Sequence, residues 1–251
     1  MSAKPKVAFF DLACCEGCQL QIANLGEELL DVLGHIDVVE FREVMSEKWD
    51  GEYDLAIVEG SVTNEEAEKR ALAIRSRSKL VMAYGSCAVT GGINGMKNRR
   101  TMSEGLNDVY GDKAADYNTQ PTRPLSAVIR VDYSVPGCPV YPPEFMNVLK
   151  AALAGVEYAL PDHAVCVECR FNENECLYER GITCLGPVTR AGCGSWCINH
   201  GNKCYGCRGM VSSPNINGAR DVMTKFNLKP EAILRSFDMY NGAGESHGQK
   251  S

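Results

Sequence analysis

Short apolar runs alternate with stretches of helical periodicity through the first 160 residues. Residues 6–12 are apolar between charged flanks, which predicts a buried strand. Residues 18–33 place Leu20, Ile22, Leu25, Leu29, Leu30 and Leu33 close to helical spacing, predicting one long helix stopped by Gly34. Asp37–Phe41 and residues 55–59 predict a second and a third strand. Glu65–Ser76 reads as a helix capped by Thr63 or Asn64, with acids in its first turn and basic residues late, as the helix dipole favours. Residues 80–84 and 127–131 predict the fourth and fifth strands, and 143–154 a helix opened by proline. Strands alternating with helices imply an α/β fold with a doubly wound parallel sheet, in which ligands gather beyond the carboxyl ends of the strands.

The pattern changes after residue 160. Residues 161–210 hold eight cysteines and several glycines with little periodicity, so a packed apolar core is not expected there and bound metal must hold the segment together. Residues 211–251 predict one helix, at 230–240, and a disordered Gly/Ser/Lys end. A content of 45% apolar and 23% charged residues is enough for a sizeable core elsewhere. The net charge of −6, without a long basic run, argues against nucleic acid. No stretch approaches the roughly 20 apolar residues of a membrane span, and the opening residues do not read as a signal peptide. The expectation is a cytoplasmic chain, where many cysteines point to metal before disulfides.

Twelve of the thirteen cysteines fall into sets of four. Cys166, Cys169, Cys176 and Cys184 form one, and Cys193, Cys197, Cys204 and Cys207 another, with C-x2-C pairs in both. The third is scattered: Cys15 and Cys18 after the first strand, Cys87 after the fourth, and Cys138 after the fifth. The sheet rule brings those four to one edge. Four thiolates suit a four-iron cluster; zinc is the rival for the two compact sets, since C-x2-C pairs are also zinc half-sites. A single cysteine of the scattered set is more ordinarily a small buried hydrophobe, and only the set makes a site. The glycines at 91, 92 and 95 do not make a nucleotide-binding G-x-G-x-x-G.

The segments CEGCQLQ (15–21), EGSV (59–62), GSCAVTGG (85–92), PGCP (136–139), CLGPVTRAGCG (184–194) and CYGCRG (204–209) resemble, in order, the small electron-transferring subunit of nickel–iron hydrogenases, most closely the cytoplasmic multi-subunit branch. The resemblance implies a flavodoxin-like domain over 1–160, a ferredoxin-like two-cluster segment over 161–210 and a C-terminal helix with a flexible tail over 211–251. It implies three 4Fe-4S clusters: proximal on Cys15, Cys18, Cys87 and Cys138, medial on Cys193, Cys197, Cys204 and Cys207, distal on Cys166, Cys169, Cys176 and Cys184. Periplasmic members commonly carry a distal histidine and a medial proline, where this chain has Cys166 and Cys197. No catalytic residue is expected on this chain. The implied partners are a large subunit bearing the nickel–iron centre and a further redox subunit of NAD(P)/flavin, deazaflavin or heterodisulfide-reductase type. A quinone-oxidoreductase (complex-I-like) subunit and a non-catalytic zinc module are the alternatives. His163 and Cys14 are expected beside the clusters or at the surface and not as ligands, Glu16 as a helix-start carboxylate, and Trp49 and Trp196 as packing residues, Trp196 with the further option of shielding a cluster.

Overall fold

The computed structural model describes residues 4–243. Strands β1 (Lys6–Asp11), β2 (Asp37–Phe41), β3 (Tyr53–Glu59), β4 (Ser78–Tyr84) and β5 (Tyr133–Val135) form one sheet in the order β2-β1-β3-β4-β5, with every pairing parallel. The helices are α1 (Gly17–Ala23), α2 (Glu27–His35), α3 (Glu65–Ser76), α4 (Gly85–Thr90), α5 (Met102–Tyr110), α6 (Pro142–Ala154), α7 (Val165–Phe171), α8 (Trp196–Asn199), α9 (Ile216–Lys225) and α10 (Pro230–Asn241).

Strand alternation builds a core on each face. Val7 and Phe9 with Leu55, Ile57, Met82 and Tyr84 pack against Ile22 of α1 and Phe145, Val148 and Leu149 of α6. Ala8 and Phe10 with Ala56, Val58, Val81 and Ala83 pack against Ala67, Ala71 and Ile74 of α3 and Ala88 of α4. The parallel register lines up the strand ends: Asp11 stands opposite Glu59, Glu59 opposite Tyr84, and Tyr84 opposite Val135. The loops that follow β1, β3, β4 and β5 therefore emerge along one edge.

Helix α3 matches its sequence-based limits, and the Asn64 side chain caps it by accepting from the Ala67 N–H at 2.8 Å. Removing that acceptor leaves an orphan donor, so Asn64→Ala should lower stability by about 1 kcal/mol in chemical denaturation.

Three expectations fail. The helix over 18–33 is two helices, broken by a turn at 24–26 that leaves through Gly26 with φ 62°. Leu25 stays on the apolar period, so periodicity could not locate the break. The apolar run at 127–131 is not a strand. It follows a 3-10 turn at Leu125–Ala127, and Leu125 and Ile129 are buried on the α3 face. Pairing with β4 begins only where the Asp132 N–H donates to the Val81 carbonyl, which puts β5 directly before Cys138.

The third correction concerns the cysteine-rich segment, which does have an apolar core. Val165, Leu177, Tyr178, Leu185, Val188 and Ile198 pack with Ala219 and Met223 of α9 and Phe237 of α10. The tail supplies what the segment lacks, through a second helix, α9, that the sequence pattern did not predict. The Gly/Ser/Lys end at 244–251 lies outside the described residues.

Candidate metal centres

Cys15, Cys18, Cys87 and Cys138 meet at the carboxyl edge of the sheet. Cys15 is exposed just ahead of α1, and Cys18 lies buried in its first turn. Cys87 is on α4 directly after β4, and Cys138 is in the turn after β5. Hydrogen bonds knit these loops together. Glu59, the last residue of β3 and 2% exposed, accepts from the Cys18 N–H at 3.3 Å and the Gln19 N–H at 3.1 Å. The Tyr84 hydroxyl donates to the Cys18 carbonyl at 2.9 Å, and the Ser86 N–H to the Gly137 carbonyl at 2.8 Å.

Burial, and then the Glu59 charge, push the Cys18 thiol up; Cys138 and Cys87 add to this. Burial pushes Cys87 up to about 12, with Cys138 and Cys15 as its next neighbours. Bare, these thiols are held protonated, and cationic iron is what would favour their thiolates. The ring also has the tight surroundings a bulky group needs. A Cβ on Gly85, where φ is +83°, would lie 2.5 Å from the Cys18 sulfur. Gln19, beside Cys18, is buried, and neither end of its amide has a partner. Such an orphan is costly.

In the compact set at 166–184, Cys166 and Cys169 lie on α7. Burial raises Cys166 to about 12, followed by the charges of Cys184, Cys169 and Cys176. The Tyr178 hydroxyl donates to the Cys184 carbonyl at 2.7 Å. In the other compact set, burial raises Cys207 to about 12, with Cys193, Cys197 and Cys138 as its charged neighbours.

The sets touch in a definite order. The Ser86 hydroxyl, one residue before Cys87, donates to the Cys207 carbonyl. On the other side, the Cys204 N–H donates to the Cys184 sulfur at 3.3 Å. The set written last in the chain, 193–207, therefore stands between the other two. Among the described residues no three His, Cys, Asp or Glu side chains close around a single metal ion.

The residues outside the sets fall as follows. Cys14 is half-buried, pushed up to about 12 by burial and then by Glu59, and its thiol donates to the Leu12 carbonyl at 3.6 Å. His163 is exposed. Glu16 immediately precedes α1 but makes no side-chain cap bond. Trp196 is 55% exposed, with its ring 4.2 Å from that of His200, and Trp49 lies half-buried beneath Lys6.

Two features carried no sequence pattern. Arg208, directly after Cys207, forms a bidentate pair with Glu144 of α6 at 2.7 and 2.6 Å, and both side chains are almost wholly buried. Arg208 also donates to the carbonyls of Arg190, Ala191 and Pro136. Burial pulls its pKa down, but the Glu144 hydrogen bonds more than reverse this, so the guanidinium stays charged. Tyr240 of α10 is half-buried, and its carbonyl accepts from the hydroxyl of Thr90, on the helix that carries Cys87, at 2.6 Å. The one available hint was a charge written immediately beside a cysteine, in CYGCRG.

Residues 15–152 match the family described as NADH ubiquinone oxidoreductase, 20 Kd subunit. The likeness to hydrogenase subunits runs through the remaining cysteines as well. Sulfhydrogenase 2 subunit delta of Pyrococcus furiosus is 34% identical over 231 residues, covering 92% of this chain and 96% of that one. The chain belongs to the nickel–iron hydrogenase small-subunit family. This small subunit is also 36% identical over 258 residues to an F420-non-reducing vhu hydrogenase subunit of Methanocaldococcus jannaschii, covering 91% of this chain and 90% of that one. A solved chain of an NAD+-reducing NiFe hydrogenase in its H2-reduced state superposes with a TM-score of 0.55 at 27% identity, covering 63% of this chain and 96% of that one. As a hydrogenase subunit it is a component of an oxidoreductase. No helix among its described residues is long and apolar enough to cross a membrane.

Proposed function

We propose that this small subunit relays electrons through three 4Fe-4S clusters, held by Cys15, Cys18, Cys87 and Cys138, by Cys193, Cys197, Cys204 and Cys207, and by Cys166, Cys169, Cys176 and Cys184. The observation that carries this reading is the row of three adjoining thiol sets, linked by the contacts from Ser86, beside Cys87, to Cys207 and from Cys204 to Cys184. A cubic cluster takes its thiolates at separate corners, so its ring is wider than that around one ion. When bound, such clusters supply one-electron oxidation and reduction.

The chain's own part is positional. The loops after β1, β4 and β5 hold the proximal ring at the open sheet edge, with Cys15 exposed where a partner would dock. The core shared by α7, α9 and α10 keeps water from the inner sides of the other two rings. Glu59 orients the start of α1 through the Cys18 and Gln19 N–H groups. A separate large subunit would bear the nickel–iron centre over the proximal ring. The distal ring would pass electrons to a redox subunit of NAD(P)/flavin, deazaflavin or heterodisulfide-reductase type. The whole would work in the cytoplasm, with domains at 1–160, 161–210 and 211–251.

Iron and acid-labile sulfide analysis of anaerobically purified protein tests this. About twelve irons per chain, with matching sulfide, is the expected result. Zinc without sulfide would sink the relay.

A further inference from the structure

Residues 93–123 leave the sheet after α4 and return to it as a fastened arm. Its two stalks are tied at the edge that carries the scattered cysteines. The Asn94 amide donates to the Ala13 carbonyl at 2.7 Å and to the Ser61 hydroxyl at 2.9 Å. The stalks also hold each other. The Thr122 N–H donates to the Asn98 side-chain oxygen at 2.7 Å, and the Asn98 amide donates to the Thr122 carbonyl at 2.8 Å. The Gln120 N–H donates to the Thr63 carbonyl, in the loop after β3, at 2.7 Å. At the root, a Cβ on Gly92 would lie 2.8 Å from the Cys87 sulfur. The arm is therefore a firm extension of the loops that hold Cys15 and Cys87.

Beyond the stalks, α5 is a well-formed helix with little to pack on. Thr101 and Glu104 close a capping box, Arg100 pairs with Asp108, and Tyr117 stacks on Tyr110 with ring centroids 3.8 Å apart. Yet no residue of α5 is buried. Met102, Leu106, Val109 and Tyr110 recur on one side of the helix, and with Tyr117 they line an open groove of about 560 Å³. Val109 is 71% exposed, Tyr117 47% and Tyr110 42%. Ser103, Glu104, Asn107 and Asp108 take the other side. An apolar face kept in water on a fastened helix is unfavourable by itself and marks an interaction surface. Gly105, on the apolar side, points the same way. Glycine inside a helix is destabilising, and among the described residues nothing beyond its own helix lies within 4 Å of a Cβ added there. This chain makes no use of that bare backbone, whereas a closely approaching partner would.

We propose that α5 and the turn after it form a docking arm for the large subunit, taking an apolar ridge between the helix and Tyr117. This rests on the reading of a large subunit seated over the proximal ring. Continuity selects that occupant. Cys15 is exposed two residues after Ala13, whose carbonyl holds the stalk of the arm. A subunit that covers Cys15 meets the root of the arm at once, so one cover answers both exposures. The arm is already ordered by its stalks and its capping box, which lowers the entropy lost on docking. Tyrosines at the centre of the face supply the rigid contact area that such interfaces favour.

The test is anaerobic purification of the complex through a tag on this chain, with the nickel-bearing large subunit recovered alongside it quantified. Val109→Glu places a charge in the face at a side chain that already stands in water, so the chain itself should keep its fold. Recovery of the large subunit should fall about tenfold or more, with iron per small subunit unchanged. Val156→Glu makes the same change at an exposed residue after α6 and should leave recovery unaltered. Hydrogen exchange supplies a check that needs no variant: amides at 102–117 should exchange more slowly in the wild-type complex than in the full chain alone. Undiminished recovery in Val109→Glu, an equal loss in Val156→Glu, or unslowed exchange at 102–117 overturns the proposal. Loss of a self-associated form of this chain, with the large subunit recovered in full, assigns the face to a second copy and overturns it too. A wild-type chain that recovers no nickel-bearing subunit overturns instead the reading of the partner beneath it, so the two failures are told apart before any variant is made.

Discussion

Glu144→Ala should destabilise the anaerobically purified protein by about 3–5 kcal/mol, because it leaves the Arg208 guanidinium buried without its counter-charge. The pair bridges α6, which packs on the sheet, and the loop that carries Cys207, and it is sealed from water. Three carbonyls remain on Arg208 in the variant, from Pro136, Ala191 and Arg190. They solvate the charge in part and place the expected loss toward the lower end of that range. Denaturation by guanidinium, followed by circular dichroism, measures it. A double variant, Glu144→Leu with Arg208→Met, should recover most of the loss, since replacing both members of a buried pair by apolar side chains is often neutral. A loss below about 1 kcal/mol in the single variant, the scale of an exposed pair, would show that the pair does not join the two regions.

On the proposed three-cluster reading, Gly85→Ala should remove the proximal cluster without altering any cysteine. Gly85 opens α4 with φ +83°, a conformation that costs an alanine roughly 1–2 kcal/mol. The added methyl would also sit 2.5 Å from the Cys18 sulfur, closer than any carbon–sulfur contact allows. Either α4 or α1 must move, and each carries a thiol of the ring. Iron should fall from about twelve to about eight per chain, with loss of H2-dependent acceptor reduction. Gly34→Ala is the control. Gly34 lies exposed in α2, with nothing within 4 Å of an added Cβ. That change should leave iron content alone and stabilise the helix by roughly 0.5–1 kcal/mol. Full iron content in Gly85→Ala would mean that the sulfur of Cys18 has room the structure does not give it.

The sheet was legible where strands are buried on both faces. The central strands β1, β3 and β4 read as continuous apolar runs, and α3 announces itself by its acidic start, its cap and its basic end. The short edge strand β5 was misplaced because the apolar run before it fills a face without pairing. In the cysteine-rich segment Leu177, Leu185, Val188 and Ile198 stand singly among polar residues, so no period betrays them. They become a core only through Met223 and Phe237, which arrive from the tail. The two compact cysteine sets stood out by spacing, and the scattered set only through the strands it follows. Their neighbours did not, because Glu144 and Arg208 are 64 residues apart and meet only through the fold.

The spatial order of the thiol sets restricts how such a chain can be shortened. Since the set at 193–207 stands between the other two, a chain cut after Cys184 would keep the outer two thiol sets and lose the one between them. A version ending near the end of α6 would hold the single set of Cys15, Cys18, Cys87 and Cys138, and one running past Cys207 would hold all three. The shorter version also loses Arg208, which would strand a carboxylate at position 144 inside the protein.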